Sequence, residues 1–114
     1  MEYTYNIPIQ VYDWIKSGKK DIEIRILKEK SNNIQVGDYI TFNNQDIEGK
    51  YIKVQVIFKE IFNDVDSLLE AYDINRMMPD HSKEELKELL FQIYGDSLKD
   101  GKLVAFGFKY LSSD

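Results

Sequence analysis

No cysteine occurs among the 114 residues, there is one histidine, and proline and glycine number only two and six. Without cysteine there is no disulfide framework, no thiolate metal ligand and no thiol nucleophile, a composition that sits easily with a reducing compartment. The lone histidine, His81, rules out a His pair or a His-Glu-x-x-His arrangement, so no metal site is expected. Its place in a polar loop just before Ser82 reads as loop solvation. The glycines are scattered and form neither a Walker loop nor a Gly-x-Gly-x-x-Gly turn, so the usual phosphate cradles are missing and no cofactor is expected. No apolar run approaches the roughly 18 residues of a membrane span, and the opening MEYTYNIPIQ is acidic and aromatic. These absences predict a soluble, cytoplasmic chain with no membrane partner.

An excess of basic charge is also lacking. The net charge is −5, which argues against wholesale electrostatic binding to nucleic acid. The deficit is uneven: residues 1–60 hold nine basic and nine acidic side chains, and residues 61–114 hold six and eleven. Residues 16–30 carry six Lys or Arg against three acids, the most basic short segment of the chain. Hydrophobic residues make up 43% and charged residues 31%, the composition of a folded globular protein, and the length fits one domain spanning residues 1–114.

The hydrophobic pattern gives a mixed order of elements. A short strand near Glu2 to Tyr5 precedes a helix in which Ile7, Val11, Trp14 and Ile15 share one face, with Pro8 in its first turn and Gly18 just past its end. Residues 21–27 then switch to period two. Ile22, Ile24 and Ile26 form a dry face and Asp21, Glu23, Arg25 and Leu27 a mostly polar one. A turn at Val36-Gly37-Asp38 leads into YITF, and NNQDIEGK reads as a hairpin turn into a long strand from Tyr51 to about Ile61. Asp64 is placed to cap a short helix carrying Val65, Leu68, Leu69 and Tyr72. Ser82 with Glu85 has the form of a capping box for a second helix, ended by Gly95. After the turn-like DSLKDGK, the apolar run LVAFGFKYL predicts a central strand in which Gly107 admits a close neighbour. The order β-α-β-β-β-α-α-β predicts an α+β fold on a small, mostly antiparallel, curved sheet or barrel.

The candidate site lies on the period-two strand. Side chains two apart on a strand share a face with Cα atoms about 6.5–7 Å apart, so Glu23 and Arg25 stand side by side. They make either an exposed ion pair of small worth or an acceptor beside a planar fork of donors suited to carboxylate, phosphate or base-edge contacts. Lys19 and Lys20 add charge at the mouth of the preceding turn. The abundant carboxylates Glu84, Glu85, Glu88, Asp96 and Asp100 read as solvated, and Trp14 as core packing of the first helix.

The run from Lys16-Ser17-Gly18-Lys19-Lys20 to Ile22-Glu23-Ile24-Arg25 resembles the I-x-x-G-x-K-x-x-E-x-R signature of ASCH domains, which are similar in fold to PUA domains. Ile34-Gln35-Val36-Gly37-Asp38-Tyr39-Ile40-Thr41-Phe42 resembles the family's next strand. Met78-Pro79 ahead of the capped helix and Ile93-Tyr94 at its end match further landmarks, so the resemblance spans nearly the whole chain. It implies a PUA-like pseudo-barrel with flanking helices whose Gly-Lys-x-x-Glu-x-Arg residues line a cleft, in a family generally proposed to bind RNA. Two functions follow as expectations. One is a module binding RNA or a nucleotide-like small molecule through Lys19, Lys20, Glu23 and Arg25, with Tyr12 stacking on a base. The other is an amidohydrolase of acylated nucleosides, as in one branch of ASCH-like proteins, with Lys20 polarising the substrate and Glu23 as general base. In that branch a threonine nucleophile stands where this chain has Glu23.

Overall fold

Ile7 precedes Pro8, and that adjacency decides where the first strand stops. The proline ring disfavours helical backbone in the residue before it. Accordingly Ile7 is the last residue of strand β1 (Glu2–Ile7), not part of the helix that its spacing suggested. A computed structural model describes residues 1–114. In it Pro8 caps helix α1 (Ile9–Lys16) with an extended backbone (φ −66°, ψ 158°), and its carbonyl accepts the first helical bond from the Tyr12 N–H. Ile7 shared the helical spacing because it is buried in the same core as Ile15.

Strand β2 (Ile22–Ile26), helix α2 (Glu29–Asn33), β3 (Tyr39–Asn44) and β4 (Tyr51–Phe62) follow. Helices α3 (Val65–Ala71), α4 (Ile74–Met77), α5 (Lys83–Tyr94) and α6 (Ser97–Asp100) then lead to β5 (Leu103–Ser113). The caps form where the side chains allow. The Asp64 carboxylate accepts from the Ser67 N–H, and Ser82 and Glu85 exchange bonds across the first turn of α5. Helices α2, α4 and α6 leave no periodic signal in the sequence. Each spans five residues or fewer, too short for a helical period to register.

The five strands form one curled sheet in the order β1-β3-β4-β5-β2. Three of the four pairings are antiparallel, and β1 runs parallel to β3 with Tyr5 opposite Phe42. The result is a half-barrel whose concave face buries Ile7, Ile40, Phe42, Val54 and Phe106 together with Tyr12 and Ile15 of α1. On the convex face Ile22, Ile24, Leu103 and Ala105 pack against Leu68, Leu86 and Leu90 of the helices. Strand β5, interior in the sheet, is buried on both faces, which is why LVAFGF does not alternate.

Asp114, just past β5, ties α1 to the start of β4. The Asp114 carboxylate accepts hydrogen bonds from the Tyr12 hydroxyl and the Tyr51 N–H, and pairs with the Lys50 ammonium at 3.2 Å. The Tyr12 hydroxyl above all, aided by Tyr51 and Lys50, holds this carboxyl down at about 2. The folded state therefore favours the ionised form. Its contribution to stability is complete above the ordinary aspartate value of about 4 and is lost as the pH falls through about 2. Urea denaturation of Asp114→Asn should show a deficit relative to wild type at pH 7 that narrows steadily between about pH 4 and pH 2.

Candidate functional site

Strands β1 and β2 are the two edges of the sheet, and its curl brings them toward one another without closing the hydrogen-bonded ladder. A side chain spans the gap: the Arg25 guanidinium of β2 lies 4.0 Å from the centroid of the Tyr5 ring of β1. Along this seam opens a cavity of about 590 Å³, within the usual range for small-ligand pockets. Val11 and Trp14 of α1 form one wall and Leu86, Leu90 and Tyr94 of α5 another. Lys20, Glu23 and Arg25 supply the charged part of the lining. Helix α5 contributes because its apolar stripe is wider than the core beneath it. Leu86 and Leu90 are buried, while Leu89 and Ile93 remain 37% and 60% exposed at the cavity.

The register of β2 explains how charges come to sit there. Glu23 and Arg25 pair with Phe106 and Val104 of β5, whose side chains fill the concave face, so the polar side of β2 points into the half-barrel. Of the two readings of this strand, an exposed ion pair does not fit its burial. Glu23 is 6% exposed and the Arg25 side chain 26%. The polar residues of β2 occupy the seam, where burial is shared with the helices.

Lys20 reaches the same place through the turn after α1. Gly18 adopts φ +83°, a left-handed conformation that favours glycine, and the Lys20 N–H returns to the Trp14 carbonyl. The Lys20 ammonium donates to the carbonyls of Ile22 and Met77, each at 2.6 Å, and lies 3.4 Å from Glu23 Oε1. Its three protons thus have three acceptors, and it ties β2 to the end of α4. A bidentate Arg76–Asp21 pair, at 2.9 and 3.2 Å, fastens the same helix to the residue before β2. Glu23 Oε2 accepts from Arg25 Nη2 at 2.9 Å.

The carboxylate therefore lies between two cations while each cation has only this one carboxylate. Burial pulls the Lys20 ammonium below the usual lysine range, and Glu23 restores it only in part. Burial pushes the Glu23 carboxyl up, but Lys20 and Arg25 together outweigh it and hold the carboxyl below its ordinary value. For Arg25, burial acts downward and Glu23 more than compensates. Apart from the bond to Glu23, the guanidinium donates no hydrogen bond within the protein, and it lines the cavity.

Of the residues singled out from the sequence, Lys20, Glu23 and Arg25 converge on the cavity. Lys19 is exposed and does not line it. Tyr12 faces the concave core with its hydroxyl held by Asp114, and the aromatic of α1 that reaches the cavity is Trp14. His81 does more than solvate a loop: its ring packs edge-on against Trp14 at 5.7 Å while Nδ1 contacts the Pro79 carbonyl at 2.8 Å. Tyr5 and Lys30 stand at the rim, where the sequence suggested no site role for Tyr5 and only loop solvation for Lys30. Period two in EYTYNI already placed Tyr5 on the face of the buried Ile7, a signal that was available. No grouping of three or more His, Asp or Glu side chains is arranged to hold a metal ion.

Comparison with known proteins relates this architecture to solved structures. No family model matches the chain, and no curated protein matches it in sequence. The chain is similar to hypothetical protein PH0355, whose crystal structure superposes with a TM-score of 0.83 at 28% identity, over 97% of this chain and 100% of that one. It is similar to protein PF0455 from Pyrococcus furiosus, solved by solution NMR, with a TM-score of 0.76 at 28% identity over 98% and 99% of the two chains. An ASCH protein from Zymomonas mobilis matches with a TM-score of 0.66 at 17% identity, over 95% of this chain and 66% of that one. The curled mixed sheet, the flanking helices and these superpositions identify the chain as having an ASCH-type, PUA-like fold.

Proposed function

We propose that the seam cavity is a binding site for RNA or a nucleotide-like small molecule, taking a base between apolar and aromatic walls and an acceptor-bearing group at Arg25. The observation that carries this reading is the unequal use of the three charges. Lys20 is engaged by Glu23 and two backbone carbonyls, and Glu23 by Lys20 and one Arg25 nitrogen, whereas Arg25 retains unpaired planar donors beside an apolar cavity. A guanidinium so placed suits a base edge or a phosphate, and Trp14 and Tyr94 offer rings for a base to lie against. The net charge of −5 favours one local site over a long polyanion track.

Binding is favoured over amide hydrolysis by the same geometry. A general base works best with its affinity for protons tuned near the operating pH. Glu23 is instead held low and bridged by two cations. Lys20 has no proton acceptor capacity while its ammonium is fully engaged.

Titration of the protein with short unstructured RNA and with mononucleotides at moderate salt tests the reading. Wild type should bind at least one of these, and Arg25→Gln should weaken that affinity by about tenfold or more, as expected for loss of a charged, forked contact. The variant's circular dichroism should match wild type, because Glu23 keeps Lys20. No binding by wild type above background, or equal binding by Arg25→Gln, would overturn it.

A further inference from the structure

Just outside the cavity two cations meet at one ring. The Arg25 guanidinium is 4.0 Å and the Lys30 ammonium 4.1 Å from the Tyr5 centroid. No carboxylate lies within salt-bridge range of Lys30, whose hydrogen bond goes to the Thr4 carbonyl, and Glu23 already serves Lys20 as well as Arg25. Counting Lys20, Arg25 and Lys30 against Glu23, the rim carries two positive charges more than it neutralises, in a protein whose net charge is −5. The two cations also oppose each other. Partial burial, and then Arg25, draw the Lys30 ammonium below the usual lysine range, while burial pushes the Tyr5 phenol up to about 12, so the ring they share stays neutral at physiological pH.

Two cations gathered on one ring, Lys30 without a carboxylate and Arg25 sharing its own with Lys20, make a site that an anion completes. We infer that a phosphate group docks between Arg25 and Lys30 beside Tyr5, so that the ligand of the cavity is a nucleotide and not a free base or nucleoside. This rests on the binding function proposed for the cavity, and it sharpens it. The base enters between Trp14 and Tyr94, Arg25 stands at the junction of cavity and rim, and Lys30 supplies charge that only the phosphate reaches. A phosphate accepts bidentate bonds from a guanidinium and a point charge from an ammonium, which matches this pair. Recruiting Lys30 from α2 also gives that short polar helix a role. Ser31 anchors it by donating to the Ile26 carbonyl and accepting from the Lys28 N–H, which fixes Lys30 against β1.

The test compares the four ribonucleosides with their 5′-monophosphates by isothermal titration calorimetry, using wild type, Lys30→Gln and Lys30→Arg. Lys30 is exposed, so both variants should fold as wild type. At least one monophosphate should bind wild type about tenfold or more tightly than its nucleoside; Lys30→Gln should cut that preference to about threefold or less, and Lys30→Arg should keep it. Equal binding of nucleoside and monophosphate, or a preference unchanged in Lys30→Gln, overturns the phosphate site while leaving the cavity reading in place. If neither class of compound binds wild type, the nucleotide assignment and its phosphate site are overturned, and the cavity reading is decided by the titration with short RNA.

Discussion

Lys20→Met should cost about 3–5 kcal/mol of folding stability, the usual penalty for removing one partner of a buried ion pair. For a domain of this size that corresponds to a fall in Tm on the order of 10–20 °C. The reason is what the substitution leaves behind. Glu23 is 6% exposed and would keep only Arg25, itself turned partly toward the cavity, while the Ile22 and Met77 carbonyls would lose their shared donor. Adding Glu23→Leu removes the stranded carboxylate, so the double variant should recover much of the loss, even though it carries one more change. Thermal denaturation of wild type, both single variants and the double variant measures this. A Lys20→Met variant as stable as wild type would show that Lys20 does not hold α4 to β2.

Gly107→Ala should also be destabilising, for a steric reason. A Cβ at position 107 would lie 1.8 Å from Cε2 of Phe58, inside the ring itself. The ring occupies this space because the pairing of β4 with β5 shifts between Val56 and Phe58, which sets Phe58 opposite Gly107. Overpacking of this kind costs about 1–3 kcal/mol and sometimes more, and displacing Phe58 would also disturb its contact with Tyr72 at 5.6 Å. The companion variant makes the cause testable. In a Phe58→Ala background, Gly107→Ala should cost less by about 1 kcal/mol or more, a coupling that chemical denaturation can read. Additive effects would mean that the glycine serves its backbone and not its neighbour.

Local signals in the sequence were enough for most elements. The alternation in β2, the caps at Asp64 and Ser82 and the left-handed turn at Gly18 all depend on residues a few positions apart. The apolar run of β5 and the close approach at Gly107 were equally legible, since a strand buried on both faces needs no alternation. What escaped depends on the curl of the sheet. The parallel pairing of β1 with β3 brings Tyr5 to the seam, and the seam alone turns Glu23 from a surface residue into a buried one. Lys20, Glu23 and Arg25 sit close together in the chain, so their proximity at the cavity is legible in it. Tyr5, Lys30 and the α5 wall approach them only in three dimensions. The choice of Tyr12 over Trp14 has the same origin. Both lie on α1, and only the packing of that helix decides which one reaches the cavity.

Trp14 is the only tryptophan in the chain and lines the cavity, so its fluorescence reports directly on occupancy. Titrating the protein with ribonucleoside 5′-monophosphates and with short single-stranded RNA should give a saturable change in Trp14 emission for at least one of them, at a midpoint displaced about tenfold or more in Arg25→Gln. Emission that stays constant while calorimetry records binding, or a midpoint identical in Arg25→Gln, would place the ligand elsewhere and contradict the assignment of the seam as the site.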